Sequence, residues 1–247
     1  MLSSSSERPL SRVPRAIAVG LALALVAQIT LQATRPSPHG RAEDLPALPR
    51  TTALEVISFG EPIGLGQALT LYLQAFDNQP GISIPFRDLD YGLVMQWLDS
   101  ILDLDPVGQY PLLMASHLYA QVPDLRKQRE MSEFVYRKFG VDPNRRWPWL
   151  GHVAIMAKHR LHDLPTALKY ASEIASRATA APDWAKQMRV FLLEDMGEVQ
   201  AAKILLGGLL ASGTITEPEE IHFLTERLRS LESAEKASEA TKKRPPR

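Results

Sequence analysis

Apolar residues recur along the middle of this chain at intervals of three and four, the period of a helix with one buried face. Leu89, Leu93, Trp97 and Ile101 repeat at four, with Val94 and Leu98 beside them, and predict a helix that ends near Leu104. An earlier helix reads from Pro62 to about Phe76, weakened at its start by Gly64 and Gly66. Pro111 opens a helix carrying Leu112, Ala115, Leu118 and Tyr119; Asp124 starts the next, with Met131, Phe134, Val135 and Phe139 on one side and Gly140 closing it. Leu150, Val153, Ala154, Ala157 and Leu161 make a further stripe. After the turn His162-Asp163 it is repeated by Leu164, Ala167, Leu168, Ala171, Ile174, Ala175 and Ala178, with Asp163 as N-cap and Pro165 in the first turn. Trp184, Met188, Phe191 and Leu192 belong to a helix that Gly197 breaks. Val199, Ala202, Leu205, Leu206, Leu209 and Leu210 follow, and Gly213 stops that run. Thr216 to Glu219 has the form of a capping box before a last helix with Ile221, Leu224, Leu228 and Leu231, whose charged opposite face suits the solvent-facing end of a stack. No run keeps the alternation of a strand for long; Ala53 to Phe59 alone reads either way.

Three prolines punctuate this series: Asp105-Pro106, Asp142-Pro143 and Ala181-Pro182, 37 and 39 residues apart. Paired amphipathic helices between evenly spaced breaks predict an all-α solenoid of stacked helical hairpins. On these residues the stretch 106–212 resembles a divergent tetratricopeptide-repeat (TPR-like) array, with a further degenerate pair at 62–104. Ala167 and Ala202 stand where the family places a small residue early in the second helix. Ala171 and Ile174, and Leu206 and Leu209, follow four and seven later, and Pro106, Pro143 and Pro182 stand as unit ends. The spacing is longer than the family's period of about 34. The resemblance implies a superhelix whose concave face holds a peptide, a helix or a protein partner.

The N-terminal region has a different character. Ala16 to Ala33 is apolar apart from Gln28, Thr30 and Gln32, and it follows Arg8, Arg12 and Arg15 against a single Glu7. At ~1.5 Å per residue it spans about 27 Å, close to the ~30 Å bilayer core. It reads as a single transmembrane helix over 16–33. Residues 1–15 are then cytoplasmic, and the remainder is extracytoplasmic, or periplasmic if the source is bacterial. A cleaved signal is the competing reading, although Leu31-Gln32-Ala33 lacks the first small residue of a cleavage site. A targeting presequence is another. Residues 34–60, containing RPSPHGRAEDLPALPR, read as a Pro-rich linker, 61–232 as the helical domain, and 233–247, ending KKRPPR, as a charged tail.

Composition narrows the chemistry. With 28 basic and 28 acidic residues there is no surplus to attract a phosphate backbone, so no nucleic-acid partner is expected. The chain has no cysteine, hence no disulfide and no thiolate chemistry. Neither G-x-S-x-G, nor H-E-x-x-H, nor a phosphate-binding loop occurs, and no catalytic residue or cofactor is expected. His152 and His159 share a helix face but stand two turns apart, about 10 Å, too far to hold one ion, and His162 falls in a turn. Asp88, Asp90, Asp103 and Asp105 flank one helix as caps, without the spacing of a calcium loop. The candidate partner-binding set is Arg145, Arg146, Trp147 and Trp149, joined by Tyr110, Tyr119 and Tyr136, because arginine and aromatic side chains supply most interface energy. The competing reading puts one tryptophan between hairpins. The expected function is a membrane-tethered scaffold for a protein or peptide partner that is itself membrane-associated. The alternatives are a structural subunit of a membrane complex, or a ligand binder or enzyme using the groove.

Overall fold

In the computed structural model, residues 14–34, 43–79, 82–213 and 215–242 are described, the side chains as far as 233. The chain is all-helical. Eleven α-helices occur among these residues: α1 (Arg15–Thr34), α2 (Thr51–Ile57), α3 (Pro62–Ala75), α4 (Tyr91–Leu104), α5 (Tyr110–His117), α6 (Leu125–Phe139), α7 (Pro143–His159), α8 (Leu164–Arg177), α9 (Asp183–Asp195), α10 (Val199–Ala211) and α11 (Pro218–Lys242). Among the described residues, strand pairing is limited to Asn78–Gln79 and Ile82–Ser83. The arginines at 8 and 12 and the basic end of the tail lie outside the described residues.

Aspartates start four of the helices. Asp90, Asp124, Asp142 and Asp163 accept hydrogen bonds from backbone N–H groups of the first turns of α4, α6, α7 and α8, which have no partner within the helix. Gly197 and Gly213 end α9 and α10 at φ +76° and +65°, the left-handed backbone that a side chain resists. Two of the three punctuating prolines act at the opposite end from the one expected, while Pro106 lies in the turn after α4. Pro143 is the first residue of α7 and Pro182 is the cap residue of α9, so both open helices rather than closing units. A proline's missing N–H is harmless only at a helix start, which is the physical reason for that placement.

Consecutive helices pack on one another through α7–α8, α8–α9, α9–α10 and α10–α11, while α5, α6 and α7 contact each other mutually and α3 lies on α4. The largest core joins Trp97, Leu98, Leu112, Met131, Phe134 and Leu150. Two smaller ones follow, around Ala167, Ala171 and Leu192, and around Val190, Ala202 and Leu206. Helices α2 to α11 belong to one compact unit and α1 to another. Helix α1 is the one described helix long and apolar enough to cross a membrane, a test that signal sequences also pass; none of its residues is buried.

Three boundaries differ from expectation. The second half of the predicted linker belongs to the folded unit: Leu45 and Leu54 are buried, Trp97 Nε1 donates to Pro46 O at 2.7 Å, and Gln79 exchanges two hydrogen bonds with the Glu43 backbone. Prolines suggested a solvated spacer there, but an extended LPALP segment can still bury its leucines. The ambiguous stretch at 53–59 lies largely within helix α2. At the other end, α11 begins at Pro218, later than a cap at Thr216 would place it, and continues past 232 to Lys242 without a break.

Candidate functional site

The Arg-Arg-Trp-Pro-Trp run forms the second turn of α7, and its side chains diverge. Arg145 points to solvent and pairs with Asp142 at 3.0 Å. Arg146 is 2% exposed. Its Nη1 donates to Lys138 O at 2.8 Å and its Nη2 to Pro106 O at 3.0 Å, so one guanidinium ties α7 to the end of α6 and to the turn after α4. Burial lowers its pKa from the ordinary arginine value, with Asp142 acting in the opposite direction. Trp147 is half-buried and meets Trp184 of α9 edge to face, at 5.5 Å between ring centres. Trp149, also half-buried, donates Nε1–H to Gln109 Oε1 at 2.7 Å.

The predicted tyrosines separate in the same way. Tyr119 is completely buried, edge-on to Phe86 and Tyr91, and its carbonyl accepts from Tyr91 Oη at 2.7 Å. Burial raises its phenol pKa well above the usual range. Tyr136 is half-buried against Tyr170, with Lys169 Nζ 4.0 Å above its ring. Tyr110 is exposed. Two of the seven candidates are therefore corrected: Arg146 and Tyr119 hold the core and cannot touch a partner. Helical geometry is the reason, because adjacent residues on a helix point about 100° apart, so neighbours in sequence reach different surroundings.

Tyr110 and Gln109 do border a concave site. A cavity of about 360 Å³ lies between α3 and the start of α5, lined by Thr70, Leu71, Gln74, Asp105, Gln109 and Tyr110 among others. Three of its groups are already engaged: Thr70 Oγ1 donates to Gly66 O, Asp105 Oδ1 accepts from Gly108 N, and Gln109 binds Trp149. Close by, His117 stacks on His152 at 3.6 Å, with Trp149 edge-on to His117. Burial, His117 and Arg160 together lower the pKa of His152. His159 and His162 are exposed, and among the described residues no three His, Asp or Glu side chains gather as metal ligands. Sequence spacing could not have paired His117 with His152, since they come from different helices.

Large apolar side chains stay uncovered on several elements. Helix α3 has no charged residue, yet only Gly66, Thr70 and Leu73 of its fourteen residues are buried; Leu71 is 66% exposed. Val56 and Phe59 beside it are exposed, as are Trp184 on α9 and Ile204 on α10. Gln67 and Gln74 are the exposed polar side chains of this helix. Compared with known proteins, the chain matches no family model, no curated protein and no solved structure.

Proposed function

We propose that this protein is a membrane-tethered helical-repeat scaffold, anchored through 16–33, that presents its helical unit to a protein partner on the extracytoplasmic side. The observation that carries the proposal is the number of large apolar side chains left open on the helical unit, with Trp184 59% and Leu71 66% exposed, since such side chains are the ones a protein partner would cover. The TPR-like reading is supported by Ala167 and Ala202, both fully buried early in α8 and α10, where close crossing needs a small side chain. The orientation is supported by Arg8, Arg12 and Arg15 ahead of the apolar run. Tethering concentrates the unit near membrane partners, so modest affinity suffices. A structural-subunit role is favoured by one separate feature, the charge-free helix α3, which resembles the apolar face of a permanent interface. The test places a photo-crosslinking residue at Trp184 or at Leu71 in the full chain in its own membrane. A reproducible protein adduct at either position is expected, and adducts to lipid alone at both would sink the scaffold reading.

A further inference from the structure

The strongest unassigned feature lies over α9, between its neighbours α8 and α10. A groove of about 420 Å³ is walled by Leu168 and Ser172 of α8 and by Ala201, Ile204 and Leu205 of α10, with Leu193 of α9 on its floor. Arg189 of α9 also lines it. Among the described residues this guanidinium makes no hydrogen bond and no ion pair, and its Nε is buried without a partner. Burial alone lowers its pKa, with no carboxylate near enough to oppose the effect. The other cations whose pKa is shifted in the unit have bonding partners: Arg146 has two carbonyls, Lys138 has Asp99 and Arg227 has Glu194. A separate depression lies farther along, bordered by Ala175 of α8, by Asp183, Lys186 and Gln187 of α9 and by Leu209 of α10. Leu168 to Ala175 spans about 10 Å along α8, two turns of a helix.

A half-desolvated arginine in an apolar groove is unfavourable until an anion meets it. The same groove offers apolar walls to an aliphatic side chain, and Ile204, 75% exposed, stands uncovered at its rim. We infer that the α8–α9–α10 groove receives a short amphipathic helix of a partner protein, its leucine-like side chains between α8 and α10 and one of its carboxylates paired with Arg189. The chain's own C-terminal end, KKRPPR, has the wrong charge to fill it. This names the partner chemistry of the scaffold proposed above and rests on that reading. Recognition by a planar, two-pronged donor makes the carboxylate the specificity element and the apolar walls the affinity element.

The experiment measures binding of two fluorescent peptides of about twelve residues to the full-length protein in detergent. Both are helix-forming with leucines on one face; one has a central glutamate and the other glutamine. The glutamate peptide is expected to bind at least about tenfold more tightly, in line with a charge-assisted pair. Arg189→Met should bring the two within about threefold of each other, and Arg189→Lys should keep part of the preference. Ala201→Trp, at an exposed position, should block both peptides while helicity by circular dichroism is unchanged, which keeps the test valid if an Arg189 variant misfolds. Equal binding of the two peptides, preference that survives Arg189→Met, or displacement by dodecanoate or by unlabelled protein at lower concentration than the peptide would each overturn the inference. A crosslinking residue at Ile204 separates the two readings. Protein adducts at Trp184 or Leu71 with none at Ile204 remove the groove alone, and no protein adduct at any of the three removes the scaffold as well.

Discussion

Arg146 shows how a single side chain can change role between sequence and structure. In sequence it is one of two adjacent arginines beside tryptophans, which reads as an interface. In the fold it is buried, and it satisfies a carbonyl at the end of α6 and another at Pro106. Arg146→Ala would leave both carbonyls without that donor and is expected to lower unfolding free energy by about 3 kcal/mol, read by urea titration; Arg146→Lys, without the two-pronged geometry, should recover less than half. Arg145→Ala should be close to neutral, because its ion pair with Asp142 is half-exposed. His152 gives a pH prediction. Its folded pKa lies below the ordinary 6.5, so on acidification the unfolded chain takes up the proton first. Stability contributed by the neutral imidazole is complete above that value and is lost as pH falls through it. The thermal midpoint should drop as pH falls below about 6.5, and His152→Gln should reduce the drop. Neither role was legible in the sequence, since Arg146 reaches Pro106, 40 positions away, and His152 meets Gln121, 31 positions away.

At the scale of elements, legibility was far better. The apolar stripes of α4, α6, α7, α8 and α10 and the aspartate caps of the first four are local, and local signals survive folding: Asp124 and Asp163 cap as their positions imply. Proline placement was misread in direction, because spacing marks a boundary without saying which side of it is helical. The α2 region was obscured for a related reason, since a seven-residue helix contains too few periods to distinguish it from a strand. The close approach of α7, α8 and α9 rests on small side chains. Ala167 is fully buried in a cluster with Ala157, Leu161 and Leu192, so Ala167→Leu overpacks that contact. A loss of about 2 kcal/mol is expected in chemical denaturation, whereas the same change at exposed Ala201 should have little effect.

For the molecule as a whole, the sequence separated an apolar N-terminal helix from a helical unit, and both are present. It misplaced where the unit begins, because burial of Leu45 and Leu48 depends on a surface that only the folded helices create. The docking of Pro46 against Trp97 bears on where the chain can be cut. A protease that severs the chain ahead of Glu43 would release the helical unit with its core closed. One that cuts after Phe59, whose ring is 94% exposed on a left-handed backbone, would leave Leu45, Leu48 and Leu54 behind. The fragment from residue 60 onward would lose the acceptor for the Trp97 indole and expose the surface those leucines covered. It should bind a hydrophobic dye and precipitate on gentle warming, while a fragment starting at residue 42 should do neither. The position of the cut would thus decide whether cleavage yields a diffusible helical unit or an aggregate.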